Sequence, residues 1–326
     1  MEHRTLGIAC VVGAVTLFVL QDALIKWLSG GYPLHEIVLV RAVTAICVTL
    51  FVMRLEGGIH LLRTRRLALH LARAAMLIIA NSTFFLALAA MTIAEATSIF
   101  FVAPLVITAL SALMLHETVG PRRWAAVGIG LAGVVVMLRP GEGALKLIAL
   151  LPLVAAVAYA LMQILTRRLG TTERASTIAF YAQAGFIVAS VVVGLVAGHG
   201  RFAPEDNPSL AFLLRAWTVP SVPDAALFLG IGVINGIGGY LMSQAYRISR
   251  PSVLAPFEYV ALPMAVMWGV VFFGDWPGVG TWAGMALICG SGLYVLHREA
   301  VVGRRRRRAA RATTRATTRA TTRATD

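Results

Sequence analysis

The sequence predicts an all-α integral membrane protein of ten transmembrane helices, folded as two inverted five-helix repeats. Three observations lead there: a composition too poor in charge to coat a soluble protein, ten apolar runs of spanning length, and a short pattern that recurs in the two halves. Of the 326 residues, 58% are hydrophobic and 13% charged, and the mean hydropathy is +0.79. A soluble domain carries roughly a quarter of its residues as charges, so lipid is the natural solvent for most of this surface. The net charge of +14 would suit nucleic acid, but its placement does not. Nine arginines lie between Arg304 and Arg323, and most others sit in short gaps between apolar runs. That is how a membrane protein sets its orientation, so no nucleic-acid partner is expected.

A span needs about 20 mostly apolar residues. The first five run at Leu6–Leu28, Pro33–Leu55, Leu69–Met91, Ile93–Leu115 and Arg123–Leu138. The second five run at Leu147–Leu165, Ala175–Gly198, Asp224–Tyr246, Ser252–Gly274 and Val279–His297. With the N-terminus inside, the inner segments hold twelve Lys and Arg before the tail, and the outer ones only Arg139, Lys146, Arg201 and Arg215. The positive-inside rule then puts both termini in the cytoplasm of a cell whose inner membrane holds the protein. The first apolar run continues into Asp22 and Lys26 without a small-residue cleavage site, and reads as a retained helix. The tail from 303 to 326 repeats Arg-Ala-Thr-Thr and is expected to be a disordered cytoplasmic extension.

Each half ends on the same pattern. Glu117-Thr-Val-Gly120 with Trp124-Ala125 and Asp275-Trp-Pro-Gly278 with Trp282-Ala283 both read acid-x-x-Gly-x-x-x-Trp-Ala, 158 residues apart. A proline precedes each acid, at Pro104 and Pro263. Five spans is an odd number, so the second repeat must enter the membrane inverted, with Glu117 at the inner face and Asp275 at the outer. The expected units are residues 6–138 and 147–297. Inverted repeats are the means by which many secondary transporters alternate access around a midplane site.

The run Ala94-Glu-Ala-Thr-Ser-Ile-Phe-Phe-Val-Ala-Pro104, with His116-Glu117 and Arg122-Arg-Trp124, resembles the EamA family of the drug/metabolite transporter superfamily. So do Pro251-Ser-Val-Leu-Ala-Pro-Phe-Glu258-Tyr, Asp22-Ala-Leu-Ile-Lys26 and Arg41. The resemblance covers about residues 6–297. It implies ten helices, two repeats and carriage of a small organic solute. The bacterial S-adenosylmethionine uptake carriers are its nearest branch; riboflavin, amino-acid and drug carriers are the alternatives. Asp275 and Pro277 depart from the usual Glu, so the two repeat loops need not work alike.

Ionisable residues inside spans are costly and tend to be functional. Asp22, Lys26, Glu36, Arg41 and Glu258 stand out. Helices one and two are antiparallel and joined near Gly30-Gly31, so depth can be counted. Asp22 and Arg41 are each roughly 11 Å below the outer end, and Lys26 and Glu36 lie near it. Equal depths predict the pairs Asp22–Arg41 and Lys26–Glu36. These charges can form a rim on the solute cavity, with Asp22 as a candidate proton-coupling site, or simply pin helix one to helix two. Glu258, beside Phe257 and Tyr259, can receive a cationic or aromatic solute. Asn81, Tyr181, Asn235 and Tyr240, with Gln163, Gln183 and Gln244, are further lining candidates or interhelical glue.

Cys10, Cys47 and Cys289 are far apart in sequence and suggest neither disulfide nor metal site. No metal-ligand spacing or nucleophile elbow appears, so no cofactor and no enzymatic activity is expected. A channel or a membrane-embedded enzyme remains as the alternative class.

Overall fold

A computed structural model describes residues 2–114, 121–138, 147–169, 173–204, 206–248 and 257–294. Its regular elements are helices: α1 (Glu2–Leu28), α2 (Leu34–Glu56), α3 (Leu67–Leu88), α4 (Ile93–Phe100), α5 (Ala103–Met114), α6 (Pro121–Leu138), α7 (Leu150–Leu169), α8 (Ala175–Ala197), α9 (Pro208–Leu214), α10 (Val222–Ile248) and α11 (Ala261–Phe273). Residues 279–294 form a further helix, α12. Five stretches are long and apolar enough to cross a membrane: Thr5–Leu28, Leu34–Leu55, Leu67–Leu88, Ser176–Ala197 and Val222–Met242. Ile93–Ile107, Trp124–Met137, Leu150–Thr166 and Ala261–Phe273 are apolar but shorter. The protein is thus a multi-pass helical membrane protein. Glu117 and the Arg-rich tail lie outside the described residues, as do residues 251–256 of the second-half motif.

Local chemistry sets the helix ends. Thr92 caps α4 in a capping box: its hydroxyl accepts from the Glu95 N–H while the Glu95 carboxylate accepts from the Thr92 N–H. Both orphan donors are thereby satisfied. α2 stops at Gly57 and Gly58, whose φ of 148° and 105° a side chain would resist.

The expected fourth span is not one continuous helix. Phe101 and Val102 form a turn between α4 and α5, just ahead of Pro104. Pro104 has no N–H to continue the ladder, and its ring crowds the preceding turn. Tyr259 and Val260 form the matching turn before α11 and Pro263, so the two breaks are 158 residues apart. The rings of Phe101 and Tyr259 meet there, with centroids 5.2 Å apart.

Packing pairs the helices in a regular way. The most extensive contacts join α1 to α10 and α3 to α7, followed by α2 to α8. Small residues allow the close approaches: a Cβ at Gly232 or Gly236 of α10 would overlap Thr44 or Val48 of α2. Without water to drive helices together, such backbone proximity supplies the packing energy.

Hydrogen bonds identify the two ends of the bundle. At one, the segment 198–221 covers the α1–α2 turn. Arg215 donates to the Ser29 carbonyl, the Thr218 N–H donates to Glu36, and Tyr32 donates to Asp224. Phe212 of α9, within this segment, is fully buried. Trp217 lies on α8 over Gly194 and Gly198, where any Cβ would overlap the indole. At the opposite end, Thr64 donates to Glu173, and Thr177 and Tyr181 donate to the carbonyls of Leu61 and Leu62. Arg54, Arg63, Arg65, Arg66 and Arg174 gather at this second end.

Candidate functional site

Arg41 is the largest fully buried side chain among the described residues, with 1% of its surface exposed. It sits two turns into α2 and faces α3 and α8. The Phe85 and Phe186 rings approach its guanidinium carbon at 5.3 and 5.0 Å. A charge at the centre of a transmembrane helix costs about 2.5–3.5 kcal/mol on insertion scales. Two ring faces return roughly 1–4 kcal/mol when desolvated, so they can offset much of that cost. They do so without consuming any N–H. Nη2 donates to Asn81 Oδ1 at 3.5 Å, at the outer limit of a hydrogen bond. Nε and Nη1 have no hydrogen-bond partner among the described residues.

Asp22 of α1 interacts electrostatically with Arg41. The expected contact pair is nevertheless not formed, since no carboxylate comes within 4.0 Å of the guanidinium among the described residues. Depth matched, but the guanidinium is turned toward α3 and α8, where aromatic faces are available. Asp22 is half-buried and has Gln21 as its neighbour. From Gln21 a polar chain crosses the bundle: Asn235 Nδ2 of α10 donates to Gln21 Oε1, and Gln183 Nε2 of α8 donates to Asn235 Oδ1, both at 2.9 Å. Gln183 Oε1 is buried without a donor among the described residues.

The expected Lys26–Glu36 pair is also absent. Lys26 Nζ donates to the carbonyls of Leu88 and Met91, where α3 ends, and lies 5.1 Å from the Phe273 ring centroid. A helix C-terminus leaves carbonyls without partners, and a nearby ammonium satisfies them. Glu95 and Asp275 supply the surrounding negative charge. Glu36 instead accepts from Thr218, so it fastens the 198–221 segment.

The remaining candidates separate. Tyr181 belongs to the second end, hydrogen-bonded to Leu62 and packed on His70. Tyr240 is exposed on α10 and accepts from Gln244. Neither is brought to Arg41. Glu258 lies in the field of Tyr159 and Tyr259, in a second polar cluster. There Gln163 donates to Tyr159, and Arg73 of α3 donates to Thr166, both at 2.7 Å. Tyr259 is buried against Phe101, and its hydroxyl has no partner among the described residues. The sequence reading missed Gln21, Phe85, Phe186 and Arg73. Gln21 and Arg73 were available as polar residues within apolar runs, whereas the two phenylalanines carry no signal that separates them from other core residues.

Spanning helices, paired breaks at prolines and a charged cluster sealed inside the bundle define a polytopic membrane protein of the transporter class. Residues 5–139, about two fifths of the chain, match the model of the EamA-like transporter family. The resemblance read from the motifs is borne out. A riboflavin transporter of Rhizobium johnstonii is 29% identical over 74% of this chain and 74% of its own length. An S-adenosylmethionine uptake transporter of Rickettsia prowazekii is 23% identical over 86% of this chain and 88% of its own. A solved crystal structure that is 19% identical aligns with a TM-score of 0.60 over 87% of this chain and 94% of its own, which establishes likeness of fold.

The Lys26 contacts yield a test. Lys26→Met should destabilise the purified protein by on the order of 1–3 kcal/mol, because carbonyls that accepted from an ammonium lose their donor. A Glu36→Gln change should add to it within about 0.5 kcal/mol, as independent sites do. Coupling well above that in a double-mutant cycle would restore the pairing of Lys26 with Glu36.

Proposed function

We propose that the protein is a secondary transporter that carries a small organic solute across the inner membrane by alternating access, with Asp22, Arg41, Asn81 and Asn235 at the solute site. The buried Arg41 carries this reading. A fully desolvated cation with open N–H groups is costly in lipid and is retained where it does work. Riboflavin and S-adenosylmethionine, the solutes of the two named relatives, are the first candidates for this chain.

Alternating access calls for ten spans in two inverted repeats, residues 6–138 and 147–297. Support comes from the packing. Under such a repeat α1 corresponds to α7, α2 to α8 and α3 to α10. The α1–α10 contact then maps onto α7–α3, and the α2–α8 contact onto itself, and these are the most extensive contacts in the bundle. Phe101 and Tyr259, equivalent by the 158-residue offset, touch each other as residues beside a two-fold axis do. The arginines near residues 54–66 and Arg174 favour the second end as cytoplasmic. A cytoplasm-dependent reporter fused after Leu296 should therefore be active; activity of a reporter that works only outside would reverse the orientation.

Asp22 is the proposed proton-coupling group, since it shares the field of Arg41 and is only half-buried. Purified protein in proteoliposomes should accumulate labelled riboflavin or S-adenosylmethionine saturably and only under a proton gradient. Asp22→Asn should abolish gradient-driven accumulation. Linear, non-saturable entry would indicate a channel, and chemical conversion of the label an enzyme. Accumulation that ignores both the gradient and Asp22→Asn would remove the coupling role.

A further inference from the structure

The two ends of the bundle are closed in the same way. α2 and α8 are each 23 residues long, and each uses its third residue to hold a connection from the other half of the chain. In α2 that residue is Glu36, whose carboxylate accepts from the Thr218 N–H at 3.1 Å. In α8 it is Thr177, whose hydroxyl donates to the Leu61 carbonyl at 2.9 Å. Both side chains are buried, with 5% and 1% of their surface exposed. Near each bond a histidine meets an aromatic ring from the other half: His35 with Trp217, and His70 with Tyr181, both with centroids 4.5 Å apart. Under the repeat that matches α2 with α8 and α3 with α10, the connections 57–66 and 198–221 are equivalent. Each then fastens to the start of the helix that corresponds to the one it leaves.

A bond inside one half, such as that from Lys26 to the Leu88 and Met91 carbonyls, can travel with that half. Glu36–Thr218 and Thr177–Leu61 join one half to the other, so each must break when its own end opens. We propose, on the alternating-access reading above, that Glu36 and Thr177 are the gating residues of the two ends. Glu36 holds the 198–221 segment shut over the α1–α2 turn, and Thr177 holds the 57–66 connection shut over the start of α8. Both bonds are made in this structure, so both gates are closed. Burial keeps water from replacing either bond until its segment lifts. One such bond shifts an equilibrium about two- to tenfold, enough to bias which end opens and little enough to be broken in every cycle.

Two measurements in a background lacking Cys10, Cys47 and Cys289 test the gates. The first reads sidedness, with Asn81→Cys as reporter and a membrane-impermeant thiol reagent applied from either face. Glu36→Ala should raise reaction from the end of the α1–α2 turn and lower it from the other, about two- to tenfold. Thr177→Val should do the reverse, whereas a purely structural loss would move both faces alike. The second locks each end while Glu36 and Thr177 stay in place. Gly31→Cys with Val222→Cys spans one end: a Cβ at Gly31 meets open space, and Val222 is exposed. His60→Cys with Arg174→Cys spans the other, where both side chains lie against Gly57. A short reducible cross-linker at either end alone should abolish saturable uptake of labelled riboflavin or S-adenosylmethionine into proteoliposomes, and reduction should restore it. Should Glu36→Ala or Thr177→Val fail to fold, the cross-links decide. Undiminished uptake with an end cross-linked, or shifts in sidedness that are absent or of the same sign, would overturn the proposal. Lack of uptake by the protein before cross-linking would count against the transporter reading instead, and the opposed shifts in sidedness would then decide the gates by themselves.

Discussion

A guanidinium held out of water is the constraint around which this bundle is arranged. Arg41 cannot shed its charge, so its neighbours must tolerate it. Phe85 and Phe186 supply ring faces, Asn81 a weak acceptor, and Asp22 a field without a contact. These residues come from α3, α8 and α1, so moving any of the three helices changes what the cation meets. The Gln21–Asn235–Gln183 chain ties α1, α10 and α8 together beside it. Polar bonds of this kind between membrane helices are worth about 0.6 kcal/mol on average. They position the helices more than they stabilise them, and small residues at the contacts do the packing.

The ends of the bundle are fastened by different chemistry. The 198–221 segment is bound to the α1–α2 turn through Arg215, Thr218 and Tyr32, and through the buried Phe212. Lys26 holds the end of α3 beside the loop that carries Asp275. These links join elements from both halves of the chain at one end. Access from that end therefore requires several of them to loosen together.

How much of this was legible in the sequence varies with the physics involved. Spanning helices were readable because lipid demands long apolar runs, and the boundaries of α1, α2 and α8 fall within a few residues of those expected. The depth of Asp22 and Arg41 followed from counting, since rise per residue is fixed. Their contact did not follow, because equal depth says nothing about rotation around the helix axis, and Arg41 turns toward rings on α3 and α8. Lys26 misled for another reason. Its partners are backbone carbonyls where α3 ends, and any residue could have supplied those. Pro104 and Pro263 were visible as a repeated feature, but the breaks fall at 101–102 and 259–260, ahead of each proline. The clash of a proline ring acts on the preceding turn, so that displacement has a cause.

The central claim is that the Arg41 cluster is a solute site reached from each face of the membrane in turn. Asn81 adjoins the guanidinium and is half-buried, which makes it a suitable reporter. Asn81→Cys in a background lacking Cys10, Cys47 and Cys289 can be challenged with a membrane-impermeant thiol reagent from either side. The account predicts modification from both sides, with the preferred side switching when the proton gradient is reversed. Reaction from one side only under every gradient, or none at all, would contradict it.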